Sequence, residues 1–279
     1  MLKINLWDSN YDYTDPCCST AFQESRYIEY VKRLIEFDGI TLFTDEWVNN
    51  PIVEQVKSKV KIGWLHEPYC LHPETYDRAA GNFYKFDFIM TYRQALINGD
   101  DFRFCPYGGV WVDRQEWGVK PKTLNCSMLI GSKVTTCGHQ IRQDAAAMIR
   151  DKRHYVSFYG AMGEPVDYSA ATKLKTLDNY RFSIVTETCR EDNLFTEWLL
   201  DCFVLGTMPV YWGCPNVDKF FNPGGVLQFE TVDELNDIMP TLTESFYFSR
   251  MRAIRDNYHE ARHYVTAEDW FYKNILRML

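Results

Sequence analysis

No run of apolar residues in this 279-residue chain approaches the roughly 18 needed to cross a bilayer, which argues against a spanning helix. The opening MLKINLWDSN reads as a polar-flanked strand rather than an export leader, so a cytoplasmic chain without a membrane partner is expected. Positive charge is scarce: 30 Lys and Arg against 38 Asp and Glu leave a net −8. The broad basic field that nucleic acid demands is missing, and nucleic acid is not an expected partner. Nine cysteines form no CxxC pair, and their odd count points to reduced thiols rather than a disulfide or zinc scaffold. There is no Asp-x-Asp pair of the kind that holds a metal against a diphosphate, no low-complexity tract, and no repeat longer than a βα unit.

Hydrophobic residues make up 46% of the chain, enough to bury the core of one large or two modest domains, and two are expected. Lys3 to Trp7 reads as a strand, Glu24 to Phe37 as a helix with apolar positions three and four apart, and Ile40 to Thr44 as a second strand. Pro51 opens a short helix through Lys57, and strands follow at Val60 to Leu65, Phe86 to Thr91 and Phe102 to Phe104. Asp113 to Asn125, with Gly118, Pro121 and two lysines, lacks periodic apolar residues and reads as a connection. Beyond it lie a strand at Ser127 to Ile130, a helix from Gly138 to Arg150, and a strand at Tyr155 to Tyr159. Arg181 to Thr186 and Met208 to Trp212 are strands flanking an amphipathic helix at Phe195 to Leu205, and helices dominate from Val232 onward. This alternation predicts an α/β protein of two facing Rossmann-like lobes with a ligand cleft between them. The lobes are expected over 1–122 and 123–262, with a helix over 263–279 packing back on the first.

In an open parallel sheet, ligand groups gather at the carboxyl ends of the strands, and the orphan amides at a helix start favour an anion. The stretch from Tyr180 to Phe229 is ordered in that way and predicts a nucleotide-diphosphate pocket. Glu187 ends a strand and Glu197 stands in the first turn of the next helix, with Thr188 and Thr196 beside them. A carboxylate there accepts from a ribose diol; helix capping and macrodipole complementarity account for Thr196 and Glu197 without any ligand. Arg142, early in the helix after Gly138, is either a guanidinium for phosphate oxygens or a surface arginine. Trp64-Leu65-His66-Glu67-Pro68 terminates a strand of the first lobe, which aims Glu67 at the cleft. An acid there can take a proton from a sugar hydroxyl; the plainer alternative is a solvated loop residue before proline. His66 reads as a packing residue. His259-Glu260-Ala261-Arg262-His263 matches the HExxH pattern of zinc enzymes, but no metzincin extension follows, and a zinc hydrolase using His259 and His263 ranks last.

At these residues the chain resembles glycosyltransferase family 10, the fucosyltransferases that use GDP-fucose. The likeness rests on Glu187, Thr196-Glu197, Pro209-Val210-Tyr211-Trp212-Gly213 and Phe221-Asn222-Pro223. It extends through Tyr107-Gly108-Gly109-Val110-Trp111 back to His66-Glu67-Pro68. The resemblance implies a GT-B fold, an acceptor-binding first lobe, a donor-binding second lobe, and inversion at the sugar's anomeric carbon. It makes Glu67 the general base, sets Arg142 against the diphosphate, and has Glu187 and Glu197 hold the nucleotide sugar, with Glu197 on ribose. Thr188, Thr196 and Trp198 complete the donor-binding set. The implied partners are GDP-fucose or a related nucleotide sugar and a saccharide acceptor, with no cofactor and no obligatory metal. Three departures stand out: Glu187-Thr188 where the family has Glu-Asn, Leu194 where it has Tyr, and Trp198 where it has Lys. The family's lysine sits against the diphosphate, and losing such a charge-assisted contact costs about 1.5–3 kcal/mol unless Arg190 or Lys173 replaces it. Three readings follow: weaker GDP-fucose binding, a different nucleotide sugar, or a catalytically silent sugar- or nucleotide-binding relative.

Overall fold

The computed structural model describes residues 1–11 and 13–278. The chain divides into two α/β units, one of Met1–Gly109, Asp192–Leu194 and Tyr264–Leu279, the other of Val110–Glu191 and Phe195–His263. The first is built on a six-stranded, all-parallel sheet of β1 (Leu2–Trp7), β2 (Ile28–Lys32), β3 (Glu36–Thr44), β4 (Lys57–Leu65), β5 (Phe88–Thr91) and β6 (Phe102–Phe104), in the order β2-β1-β3-β4-β5-β6. Its central strands finish in fully buried runs such as Ile62 to Leu65, as a parallel sheet covered on both faces requires. Two helices, α1 (Ile52–Gln55) and α2 (Pro73–Asn82), lie between these strands in sequence.

The expected helix over Glu24 to Phe37 is instead β2 and the start of β3. Tyr27, Ile28, Tyr30 and Val31 happen to fall at helical spacing, yet aromatic and β-branched residues also suit a pleated edge. The edge of β1 supplies the partner, pairing Leu2 with Ile28 through Leu6 with Lys32. The first unit's core joins Ile4, Leu6, Leu42, Ile62 and Trp64 to Phe271 and Ile275, far along the chain. The helix Ala267–Asn274 that carries Phe271 is tied down through its first turn. Glu268 accepts from the Ser19 amide at 2.7 Å and the Ser19 hydroxyl at 2.9 Å, and Asp269 accepts from the Ser25 hydroxyl and the Arg26 amide, each at 2.8 Å.

The second unit carries a five-stranded parallel sheet. In chain order its elements are β7 (Leu124–Ile130), α3 (Cys137–Asp151), β8 (Ser157–Gly160), α4 (Ala170–Leu177), β9 (Tyr180–Thr186), α5 (Glu197–Val204), β10 (Met208–Trp212), β11 (Leu227–Gln228), α6 (Val232–Ile238), α7 (Glu244–Ser249) and α8 (Met251–Ala261). Thr136, Ser169, Thr196, Thr231 and Thr243 cap five of these helices through side-chain bonds to first-turn amides, which marks each start in the sequence. Met128, Ile130, Ala145, Ile149, Phe182 and Val210 form the centre of its core. The strand order is β11-β10-β9-β7-β8, so the chain leaves β7 to one side and returns to pair on the other. That reversal between β7 and β9 is a topological switch point, where an open parallel sheet leaves a crevice at its carboxyl edge. Among the described residues no helix is long and apolar enough to cross a membrane.

Candidate active site

A pocket of about 380 Å³ opens at this switch point, within the size range of small-molecule sites. The loop after β7 gives it Gly131, Ser132 and Lys133, the start of α3 gives His139 and Arg142, the β9–α5 connection gives Thr188, and the start of α5 gives Glu197 and Trp198. Trp111 and Tyr168 complete the lining. Four expected donor residues, Arg142, Thr188, Glu197 and Trp198, therefore share one cavity. Lys133, His139 and Tyr168 were not read from the sequence. His139 stands in the first turn of α3, where the helix-start argument applied to α5 would have pointed; Lys133 precedes that helix and carried no signal. Tyr168, held at φ 58° with its hydroxyl on the Ile130 carbonyl at 2.7 Å, gave no such signal.

Arg142 is buried rather than superficial. Its Nε donates to the Thr186 hydroxyl at 2.7 Å and its Nη2 to the Thr186 carbonyl at 2.5 Å, which fixes the guanidinium at the end of β9. The guanidinium carbon lies 4.5 Å from the centre of the Trp198 ring. A second cation meets the same indole, for Lys173 Nζ is 3.8 Å from its centre. Lys173 is only 3% exposed. Its ammonium also faces Trp111 at 5.3 Å, Asp201 at 3.6 Å and Glu197 at 4.0 Å. At the position where the resemblance sets a lysine, this chain thus has an aromatic ring contacted by two cations. Arg190, the other candidate replacement, is ion-paired to Glu230 and lines a different pocket with Tyr211, Gly213 and Gln228.

Glu187 has no exposed surface. Its carboxylate accepts from the Thr196 amide at 3.0 Å, the Thr196 hydroxyl at 2.7 Å and the Tyr211 hydroxyl at 3.1 Å. The Thr196 hydroxyl accepts in turn from the Trp198 amide at 3.2 Å. Polar groups at the start of α5, expected to face an anion, are therefore partly engaged inside the protein. At the start of α3, the amide of Gly138 donates to the Thr188 carbonyl at 3.1 Å, closing that helix against the β9 end.

Burial pushes Glu187 up to about 7, reinforced by the charge of Glu197 and opposed by the Thr196 and Tyr211 hydrogen bonds. Burial likewise raises Asp201 to about 7, with Lys173 and the Trp111 and Val112 amides pulling the other way. Both groups hold a proton more tightly in the folded chain than at their ordinary values of 4.5 and 3.8. Between those values and about 7 the folded state binds the extra protons, so stability falls as pH rises through that window. The melting temperature is expected to drop by several degrees from about pH 5 to about pH 8. Asp201→Asn, whose side-chain oxygen can still accept from the Trp111 and Val112 amides, should flatten the slope; a melt as pH-sensitive as that of the unaltered protein counts against this assignment.

In the first unit Glu67 is half-buried and follows β4 by two residues. Its amide donates to Asp45 Oδ1 at 3.0 Å and its carbonyl accepts from the Tyr76 hydroxyl at 2.6 Å. His66 packs, as expected: its ring stacks on Tyr107 at 4.2 Å and meets Trp64 edge-on at 4.6 Å, and burial lowers its imidazole to about 4. The HExxH stretch does not form the helical face that zinc ligation needs, because α8 ends at Ala261 and His263 lies beyond it. His259 and His263 are both exposed, and no group of three potential metal ligands occurs among the described residues.

No family model matches the chain. An α-(1,3)-fucosyltransferase of Helicobacter pylori is 27% identical over 120 residues, 42% of this chain and 24% of that protein. A fucosyltransferase-like protein of Arabidopsis thaliana is 24% identical over 132 residues, 47% of this chain and 25% of that protein. Each match spans about a quarter of the relative's own length. The crystal structure of an α1,3-fucosyltransferase superposes with a TM-score of 0.62 at 16% identity, covering 99% of this chain and 90% of that one, and one solved with GDP gives the same values. The fold is the GT-B fold that the resemblance implied.

Proposed function

We propose that this chain, similar in sequence to the α-(1,3)-fucosyltransferases and sharing their fold, is an inverting glycosyltransferase that moves fucose or a related sugar from a GDP-sugar to a hydroxyl of a saccharide acceptor. The observation that carries the reading is the convergence of buried Arg142, Lys133 and the start of α3 on one pocket at the switch point. Arg142 and the α3 start hold the diphosphate and stabilise the charge that grows on departing GDP. Glu197 accepts from the ribose diol, with Thr188 beside it. Glu187 acts through Thr196, fixing the start of α5. Glu67 removes the acceptor proton as the acceptor oxygen attacks the anomeric carbon, so the sugar inverts and no covalent enzyme intermediate forms. No metal is invoked, because Arg142 and Lys133 supply positive charge to the pocket.

A thermal-shift panel tests the donor. GDP and GDP-fucose should raise the melting temperature by several degrees once well above their dissociation constants, since a ligand at 100 times that constant adds about 2.7 kcal/mol. UDP should do less. Lys133→Met should weaken GDP roughly tenfold while leaving guanosine binding unchanged, because Lys133 lines the pocket and a lost charge-assisted contact acts on the phosphates. A larger shift with UDP, or none with any nucleotide, would overturn the donor assignment. Trp198 favours one second reading, a binding-only relative; calorimetric GDP binding without transfer to any of a broad acceptor set would support that instead.

A further inference from the structure

Strands β3 and β4 pair through Thr44 and Trp64, which brings the residues just past their ends together. Asp45 follows β3, and His66 and Glu67 follow β4. Once β4 stops, the amides of His66 and Glu67 have left the β4 ladder. Both donate to one oxygen of Asp45, at 2.9 and 3.0 Å. The other Asp45 oxygen accepts from Asn10 Nδ2 at 3.0 Å. Asp45 is buried, and its backbone is left-handed at φ 45°, a conformation uncommon for residues other than glycine and one that Asp tolerates better than Ala.

The support continues one layer back. Asp8 accepts from the Asn10 and Tyr11 amides and from the Thr44 hydroxyl, so the chain immediately before Asp45 and the amide beside it are both fixed. On the other side of the peptide, the Tyr76 hydroxyl donates to the Glu67 carbonyl at 2.6 Å. The Glu67 main chain is therefore held at its N–H and at its C=O.

We propose that Asp45 is a positioning residue for Glu67, its carboxylate fixing the backbone from which the base projects. The inference rests on the reading of Glu67 as base. Misplacing a reacting group by about 1 Å can cost on the order of 100-fold in rate. Asp45→Asn keeps the oxygen that receives both amides, and Asn10 can turn its own amide oxygen toward the new NH2 group. Asp45→Ala and Asp45→Gly remove the acceptor, and glycine alone relieves the left-handed backbone.

The test measures kcat and KM for GDP-fucose, GDP affinity by calorimetry, and melting temperature in these three variants and in Glu67→Gln. Asn should retain turnover within about fivefold, whereas Ala and Gly should lose about 10–100-fold in kcat with GDP affinity unchanged. The Gly variant should melt above the Ala variant yet turn over no faster. The inference falls if Ala or Gly matches the unaltered protein, if Asn is as impaired as Ala, or if Gly recovers turnover together with stability. An inactive Glu67→Gln beside a fully active Asp45→Ala removes the Asp45 role alone. A fully active Glu67→Gln, or an unaltered protein that does not turn over GDP-fucose, removes the base reading and this inference together.

Discussion

Glu67→Gln is expected to lose sugar transfer by about 10²–10⁴-fold while binding GDP as tightly as the unaltered protein. The amide matches the carboxylate in size but cannot take a proton, so an attacking hydroxyl would have to lose its proton unaided. The main-chain bonds to Asp45 and Tyr76 do not involve the Glu67 side chain, so the substitution leaves the loop's backbone anchors intact. The residues proposed to bind GDP belong to the second unit and are unchanged. The informative comparison is steady-state transfer from GDP-fucose alongside GDP calorimetry. Full activity in this variant would falsify Glu67 as base, and a parallel loss of GDP affinity would mean that the substitution disturbs more than proton transfer.

Gly138→Ala should damage the donor pocket outright. A methyl group at Gly138 would stand 1.9 Å from the Glu187 carbonyl oxygen and 2.5 Å from that of Thr188, and both obstacles are backbone. Flexible side chains could move aside; a strand end carrying a helix start cannot do so without pulling Arg142 off Thr186 and Glu187 off Thr196. Overpacking a tight site costs about 1–3 kcal/mol and occasionally more, and backbone contact on this scale sets the expectation at about 3 kcal/mol or above. For a unit of this size that is roughly 6–12 °C in melting temperature. GDP should stabilise the variant far less than the unaltered protein. Unchanged melting and GDP response in Gly138→Ala would show that α3 and β9 separate easily.

Much of the frame was readable because its signals are local. Met208–Trp212 and Phe102–Phe104 form strands over the very residues expected, and α3 differs by one residue at each end from the expected Gly138 to Arg150. β2 was missed because its identity depends on a partner: the exposed edge of β1 decides between two periodicities that Tyr27 to Val31 satisfies equally. The same distinction divides the site. Arg142, Glu197 and Trp198 stand on helices whose starts carry capping signals, so their convergence could be anticipated. The arrangement of Lys173 against Trp198 comes from the packing of α4 beside α5, and that of Asp45 below Glu67 from the register of β3 on β4. No spacing in the sequence encodes either.

The amino-terminal sheet draws part of its interior from Phe271 and Ile275, about 170 residues downstream of its last strand. During synthesis those side chains emerge after every strand of the other sheet, whose own interior is contained within Cys126 to Ile254. The half of the molecule made first is thus the half completed last, with its apolar surface waiting on the ribosome for that late helix.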